Sequence, residues 1–374
     1  MCSVYMRTTL LAAARSAHPR LLGSWRRCGS YPERMPSELP RLLTADALRE
    51  AALHAADSRI FRADVLHRLQ PMIEFDWYVW ALTDPVTGVG IDPVARIPDI
   101  RDAARAIRLK YLTATNRWTT LDTATALGDR APESPLWREL QEPTGVVDVA
   151  SVVLRERGNC WGFLDLWSRH PISTEQVTML RGVAPGLAEA VRFLRGRTFH
   201  GPAQSHAPRG PSVLLLDDAL TVVGQTAESE PLLRLLLPTP EDRSPIPAAV
   251  YNVAAQLLAR EAGIDHSEPL ARMPASDGSW VRVSAARVDP LGGIAVTIEP
   301  TTMQERLELF ARAHALSNRE RDIVRELSTG AATAEIAEHL FLSPFTVQDH
   351  LKAVFEKTGV HSRKSLLARA TGPQ

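Results

Sequence analysis

The sequence predicts a multidomain chain in which two α+β domains precede an all-α, four-helix domain. Three observations carry that prediction. From Leu316 onward, apolar residues recur at helical spacing, and helix caps and stops punctuate them. Upstream, residues 45–200 and 212–300 each mix strand-like runs with helical stripes. A Gly- and Pro-rich stretch at 201–211 separates the two as a linker. A chain of 374 residues has room for two or three domains, and 45% hydrophobic residues supply folded cores.

The C-terminal helices follow from their punctuation. Ser317 is an N-cap, and Glu320 three places on completes a capping box. Ile323, Val324 and Leu327 keep helical spacing until Gly330 stops the helix. Thr333 is expected to cap a short second helix with Ile336, Ala337 and Leu340 inside. Phe341-Leu342-Ser343 makes a tight turn. Ser343 caps a third helix, and Pro344 takes its first position, where a missing N–H costs nothing. Val347, Leu351, Val354 and Phe355 form its apolar face, and Gly359 ends it. Ser362 opens a fourth helix through Leu366, Leu367 and Ala370. Two short helices joined by a short turn, the second polar outside, make a helix-turn-helix.

The outer face of the third helix carries Thr346, Gln348, Asp349, His350 and Lys352. Gln pairs bidentately with adenine, Asp accepts from cytosine, and Lys reaches guanine or phosphate. Formal net charge is zero, so a DNA binder must concentrate its basic groups locally. It does: from Phe345 on, Lys352, Lys357, Arg363, Lys364 and Arg369 face only Asp349 and Glu356. The bland alternative is a small helical bundle with a solvated face.

These residues resemble the LuxR-type (NarL-like) DNA-binding domain of bacterial transcription regulators. The match rests on Leu316-Ser317, Arg319-Glu320-Arg321, Gly330, Glu335-Ile336-Ala337, Leu342-Ser343, Thr346-Val347, His350-Leu351, Lys357, Gly359-Val360 and Arg363. Family members usually carry Lys after the Thr-Val pair. This chain has Gln348 and then Asp349, so its target sequence is expected to differ. The resemblance implies that the third helix enters the major groove and that the fourth dimerises through Leu366, Leu367 and Ala370. The domain is placed at 309–374. Its DNA-facing set is Thr333, Ser343, Thr346, Gln348, Asp349, His350, Lys352, Lys357 and Arg363. Among them Gln348, Asp349 and Lys352 would meet bases; Ser343, Thr346, His350, Lys357 and Arg363 would meet phosphates.

Upstream, a helical tract is expected from Thr44 to Leu69, then a buried strand from Phe75 to Leu82 and a return strand from Val86 to Ile91. A helix over Ile100–Leu112 follows. A β-hairpin comes next, with strands Val146–Leu154 and Cys160–Trp167, and then a helix from Thr174 to Phe193. That order resembles a GAF domain, a small-molecule sensor. Trp77, Trp80, Trp118, Trp161 and Phe163 would then wall a ligand pocket, although strand aromatics are more often plain core. Residues 212–300, ordered strand, strand, helices, strands, resemble a PAS-like sensor. The fold class is thus two α+β sensor-like domains (GAF-like, PAS-like) followed by an all-α four-helix helix-turn-helix domain. A helix over 303–315 connects the sensors to it, suited to transmitting a signal or to acting as a spacer.

Asp217-Asp218 after an apolar strand raises a rival, a degenerate response-regulator receiver. That fold needs a phosphoacceptor Asp and a later Lys, and no Lys stands between Arg117 and Phe345. The pair reads better as turn residues. Residues 1–40 are expected to be a disordered extension, acid-free before Glu33, with Met35 a candidate true start.

Cys2, Cys28 and Cys160 are too scattered for a disulfide framework or a Cys-based zinc site, and a reducing cytoplasm suits them. His54, His67 and His170 lack metal-ligand spacing. No phosphate loop, HExxH or nucleophile elbow occurs, so neither catalysis nor a cofactor is expected. The expected function is sequence-specific transcription regulation by a homodimer on double-stranded DNA. A small-molecule ligand at the sensors and contact with RNA polymerase would accompany it, without a membrane. The alternative outside this class is a protein-interaction module without specific DNA binding.

Overall fold

The computed structural model describes residues 43–199, 212–237, 246–288 and 292–372. The expected extension at 1–40 and linker at 201–211 lie outside the described residues. The described residues belong to one compact unit.

In the first domain Thr44 Oγ1 accepts the Ala47 amide and starts α1 (Ala45–His54). The helical tract expected as one piece breaks at Ala55. Asp57 accepts the amides of Arg59 and Ile60 and so starts a new helix, α2 (Ser58–Leu69). Strand β1 is Trp77–Thr83. Its partner β2 is Gly90–Arg96, later than expected, because Asp84 holds residues 84–88 in the turn: its carboxylate accepts the Val86 amide at 2.8 Å. Helix α3 (Ala103–Tyr111) and the three-residue strand β3 (Ala124–Ala126) follow, the latter too short to show in the sequence. Strands β4 (Asp148–Glu156) and β5 (Asn159–Ser168) make the expected hairpin. Arg157 and Gly158 both have positive φ, 50° and 75°, as a twist-matched two-residue hairpin turn requires. Helix α4 (Thr174–Arg197) opens on a Ser173/Gln176 capping box and outruns its expected end at Phe193.

The five strands form an antiparallel sheet in the order β2-β1-β5-β4-β3. Helix α4 packs on the β3–β4 side with α1 across it. The opposite face is covered by the segment between β2 and β4, where Leu127, Leu136 and Leu140 cluster on Val149 and Trp167.

The second domain repeats the strand order. It comprises β6 (Ser212–Leu216), β7 (Val222–Gln225), α5 (Ser229–Leu236), α6 (Ala248–Glu261), β8 (Leu270–Pro274), β9 (Trp280–Val288) and β10 (Gly293–Pro300). Its sheet runs β7-β6-β10-β9-β8, every neighbour antiparallel. A receiver is built on a parallel, doubly wound sheet, so that alternative falls away. Asp217 closes a turn onto the Thr221 amide, and Asp218 pairs with Arg287 at 2.5 Å.

Buried polar contacts join the two sheet domains. The Asp84 carboxylate accepts two guanidinium bonds from Arg272, at 2.7 and 2.8 Å, and the Arg272 amide at 2.9 Å. Asp84 is 0% exposed and Arg272 7%. Arg117 pairs with Asp265 at 2.8 Å, and Gln256 of α6 donates to the same carboxylate. Burial alone would raise Asp265, but bonds from Thr119, Ser267 and Arg117 outweigh it and hold its carboxyl far below the usual range. Such buried pairs offset their desolvation only where hydrogen bonds satisfy every carboxylate oxygen, as they do at Asp84 and Asp265.

Helix α7 (Met303–Ala313) starts on a Thr302/Glu305 capping box and leads into the C-terminal helices. These are α8 (Asn318–Ser328), α9 (Thr333–His339), α10 (Pro344–Thr358) and α11 (Arg363–Thr371).

Candidate nucleic-acid interface

The C-terminal helices start and stop where their caps dictate. Ser317 Oγ accepts the Glu320 amide, and Glu320 returns a bond to the Ser317 amide at 2.7 Å. Ser343 Oγ accepts the Thr346 amide at 3.1 Å and shares a hydrogen bond with Thr346 Oγ1. Gly359 ends α10 in the left-handed region at φ 63°. One cap differs from expectation. Ala332, not Thr333, precedes α9, and Glu335 reaches back to the Ala332 amide at 2.7 Å. Thr333 lies inside the first turn, where its hydroxyl accepts from Arg363 at 2.5 Å.

Ile336 and Ala337 of α9 and Val347, Leu351 and Val354 of α10 are all buried. They fix the two helices against each other and leave the far side of α10 to solvent. On that side Gln348, Asp349 and Lys352 are exposed. Their spacing puts them on one stripe, within reach of a groove about as wide as a helix. Thr346 and His350 are half-buried at its edge. The turn before α10 is tight enough to hold Phe341 at φ 54°, a left-handed conformation rare for a bulky side chain, with the ring 95% exposed.

Other members of the predicted set are engaged inside the domain. Lys357 was expected at phosphate; its ammonium instead sits 2.6 and 2.8 Å from the two oxygens of Glu320, joining α10 to α8. Burial alone would raise Glu320, but the bonds from Lys357 and Ser317 prevail and hold its carboxyl below the usual range. Arg363 is turned onto Thr333, tying α11 to α9. Ser343 serves as the cap of α10.

The dimerisation face needs correction. Leu366 and Ala370 are both 0% exposed, and Leu367 is half-buried. They are covered within this chain, because α11 packs on α7 and α8. Arg306 of α7 donates to the Arg369 carbonyl at 3.3 Å, and the missing side chain of Gly372 leaves room for that guanidinium. Arg306 is itself 6% exposed, lies over the rings of Phe199 and Trp280, and is lowered to about 10 by burial. A dimer through Leu366 and Ala370 requires α11 to leave this seat.

The aromatic set expected to wall one pocket also needs correction. Strand alternation puts Trp80 on the opposite face of the first sheet from Phe163, since Trp80 pairs with Leu164 and Ala81 with Phe163. Only Trp118 and Phe163 stack, at 4.6 Å, with the Lys110 ammonium near both rings and 2.7 Å from Asp165. Trp80, Trp118 and Trp161 are at most 2% exposed. Trp77 lies under the Arg169 guanidinium instead. A groove of about 480 Å³ lies elsewhere, beside β3, lined by Asn116, Asp122, Arg130 and Arg181 among others. Cys160 is buried, which pushes its thiol up and away from redox reactivity. No helix among the described residues is long and apolar enough to cross a membrane.

The sequence placed the connecting helix at 303–315, and within it Glu308 pairs with Arg312 as their spacing allows; what α7 bonds to elsewhere was missed. Arg312 also bonds Asn159 at the start of β5. Arg192 of α4 donates to the Ala313 carbonyl at 3.0 Å, and Arg157 to that of Ala315 at 3.2 Å. Arg321 of α8 reaches Glu308 at 3.4 Å. Arginines aimed at backbone carbonyls carry no signal in sequence spacing, so no pattern could have found them.

Comparison with known proteins bears on this end of the chain. Residues 314–370 match the family described as bacterial regulatory proteins, luxR family. An HTH-type transcriptional regulator of Mycobacterium bovis is 46% identical over 56 residues, 15% of this chain and 6% of that protein. The transcriptional regulatory protein NarL of Mycobacterium tuberculosis is 36% identical over 58 residues, 16% of this chain and 27% of that one. The Fimbriae Z protein of Salmonella typhimurium is 44% identical over 52 residues, 14% of this chain and 25% of that protein. The chain therefore spans well under a third of these relatives' lengths. Among solved structures, Escherichia coli SdiA covers 88% of this chain and 96% of its own at 14% identity and a TM-score of 0.34, too low to bear on the argument. The matched residues coincide with the helices built above, and the C-terminal domain of this chain is a helix-turn-helix domain of the LuxR family of bacterial regulatory proteins.

Proposed function

We propose that this chain is a transcription regulator that binds double-stranded DNA by laying α10 in the major groove. The observation that carries the reading is the exposed stripe of Gln348, Asp349 and Lys352 on a helix whose opposite face is locked to α9. Gln348 and Asp349 read base edges, and Lys352 meets a guanine or a phosphate. Thr346, His350 and the cap at Ser343 position the backbone. Lys357, Arg363 and Thr333 support the surface from within the domain.

The two upstream domains act as sensors, the first GAF-like and the second PAS-like. Their shared strand order supports a common role. Signal passes through α7, which bonds the first domain, touches the second through Arg282 and Glu305, and reaches the C-terminal domain through Glu308 and Arg306. On DNA the chain acts as a dimer on a pseudo-palindromic site; a dimer through α11 would entail its release from α7. The test is capture of genomic fragments by the purified full chain. The reading expects one enriched motif with two half-sites. Fragments retained without a shared sequence would refute it.

A further inference from the structure

We infer that Phe345 reads the C5-methyl group of a thymine in the DNA site, and so sets specificity at a base that the polar residues of α10 do not reach. The inference rests on the DNA-binding reading above. Phe345 is 75% exposed, although a phenyl ring in water forgoes the stabilisation that burial gives it. It is the second residue of α10, and among the described residues nothing covers most of its surface.

Its position decides what could cover it. Phe345, Gln348, Asp349 and Lys352 are spaced three, four and seven residues apart on one helix, and all four are exposed. Residues so spaced share one face. The apolar ring therefore heads the same stripe as the groove-facing polar groups, at the N-terminal end of the helix. In helix-turn-helix docking the residues at that end contact base edges. Across the major groove the one apolar feature is the thymine methyl, and Phe is among the side chains that meet it. Charge agrees with nucleic acid as the occupant. Lys352 on the stripe has no ion-pair partner among the described residues, and the nearest acid of the stripe, Asp349, suits a cytosine amino group. A hydrophobic protein partner would also cover a ring, but it would have to bury Gln348, Asp349 and Lys352 with it.

The test uses the full chain and a duplex that it selects from random-sequence DNA. Each thymine of that duplex is replaced in turn by uracil, which removes only the methyl. Wild type is expected to lose about fourfold in affinity at one thymine per half-site, the effect of one buried methyl. The Phe345→Ala variant is expected to bind the parent duplex more weakly and to be indifferent to uracil at that position. Phe345→Leu keeps part of the dependence. Equal wild-type affinity for every uracil duplex overturns the inference and leaves the DNA-binding reading intact. So does a Phe345→Ala variant that keeps the full thymine dependence. If the chain selects no sequence at all, both readings fall.

Discussion

Lys352 stands exposed on α10 with no ion pair among the described residues, while Lys357, five residues on, is held by both oxygens of Glu320. The two lysines look equivalent in the sequence and differ in what they can give to DNA. Lys352→Ala is expected to weaken binding and to flatten the dependence of log affinity on log salt by about one unit if the ammonium meets a phosphate. Anisotropy titrations at several salt concentrations would check this, and an unchanged slope with unchanged sequence preference would remove Lys352 from the interface. The caps at Ser317 and Ser343 and the stop at Gly359 were legible because each is a local rule, decided by a side chain and amides a few residues away. The cap of α9 was not. Thr333 has the right chemistry, but Ala332 occupies the cap and Glu335 supplies the missing acceptor from inside the helix. The engagements of Lys357 and Arg363 depend on residues 37 and 30 positions away, which spacing cannot show.

Between elements, the Glu320–Lys357 pair fastens α10 to α8 and so ties the orientation of α10 to that of α8. Its pH dependence has a definite sign. The folded carboxyl lies below its ordinary value of 4.5. Its contribution is complete above that value and is lost as pH falls through the lower, folded one. Glu320→Gln, which cannot hold the ammonium as an ion pair, is expected to be less stable than wild type at pH 7 by about 1 kcal/mol, since Lys357 is partly exposed. The two should converge at acid pH. Denaturation of both proteins at pH 7 and below 4 would check it, and a constant difference would assign the loss to the helix cap instead. At this scale the long helices and the β4–β5 hairpin were legible from periodicity and turn chemistry. Strands β3 and β8 escaped notice: β3 is three residues long, and β8, with Arg272 and Pro274 in five residues, lacks an apolar run. The expected aromatic pocket dissolved for a related reason. Period-two alternation sends Trp80 and Phe163 to opposite faces, and which strands pair decides which aromatics meet.

Over the whole molecule, the sequence suggested domains strung on a linker, and the structure joins them. Asp84 and Arg272, 188 residues apart, are both buried at the seam between the two sheet domains. Asp84→Ala leaves Arg272 buried without its counter-charge, and a loss of roughly 3–5 kcal/mol is expected. Adding Arg272→Ala should restore part of it, because the orphaned charge goes too. Thermal unfolding of the two single variants and the double variant checks this; additive losses would mean that the pair is not coupled. The same seam and the α7 hub tie the two sheet domains to the C-terminal helices, so a change upstream has a physical route to α11. The central claim nevertheless lies in one helical stripe. The most direct measurement is genomic DNA capture by the full chain, side by side with a Gln348→Ala/Asp349→Ala/Lys352→Ala variant. All three side chains are exposed, so the variant should melt with the wild type. Wild type is expected to enrich a shared motif that the variant loses. The same motif enriched equally by a variant that folds normally would contradict the account.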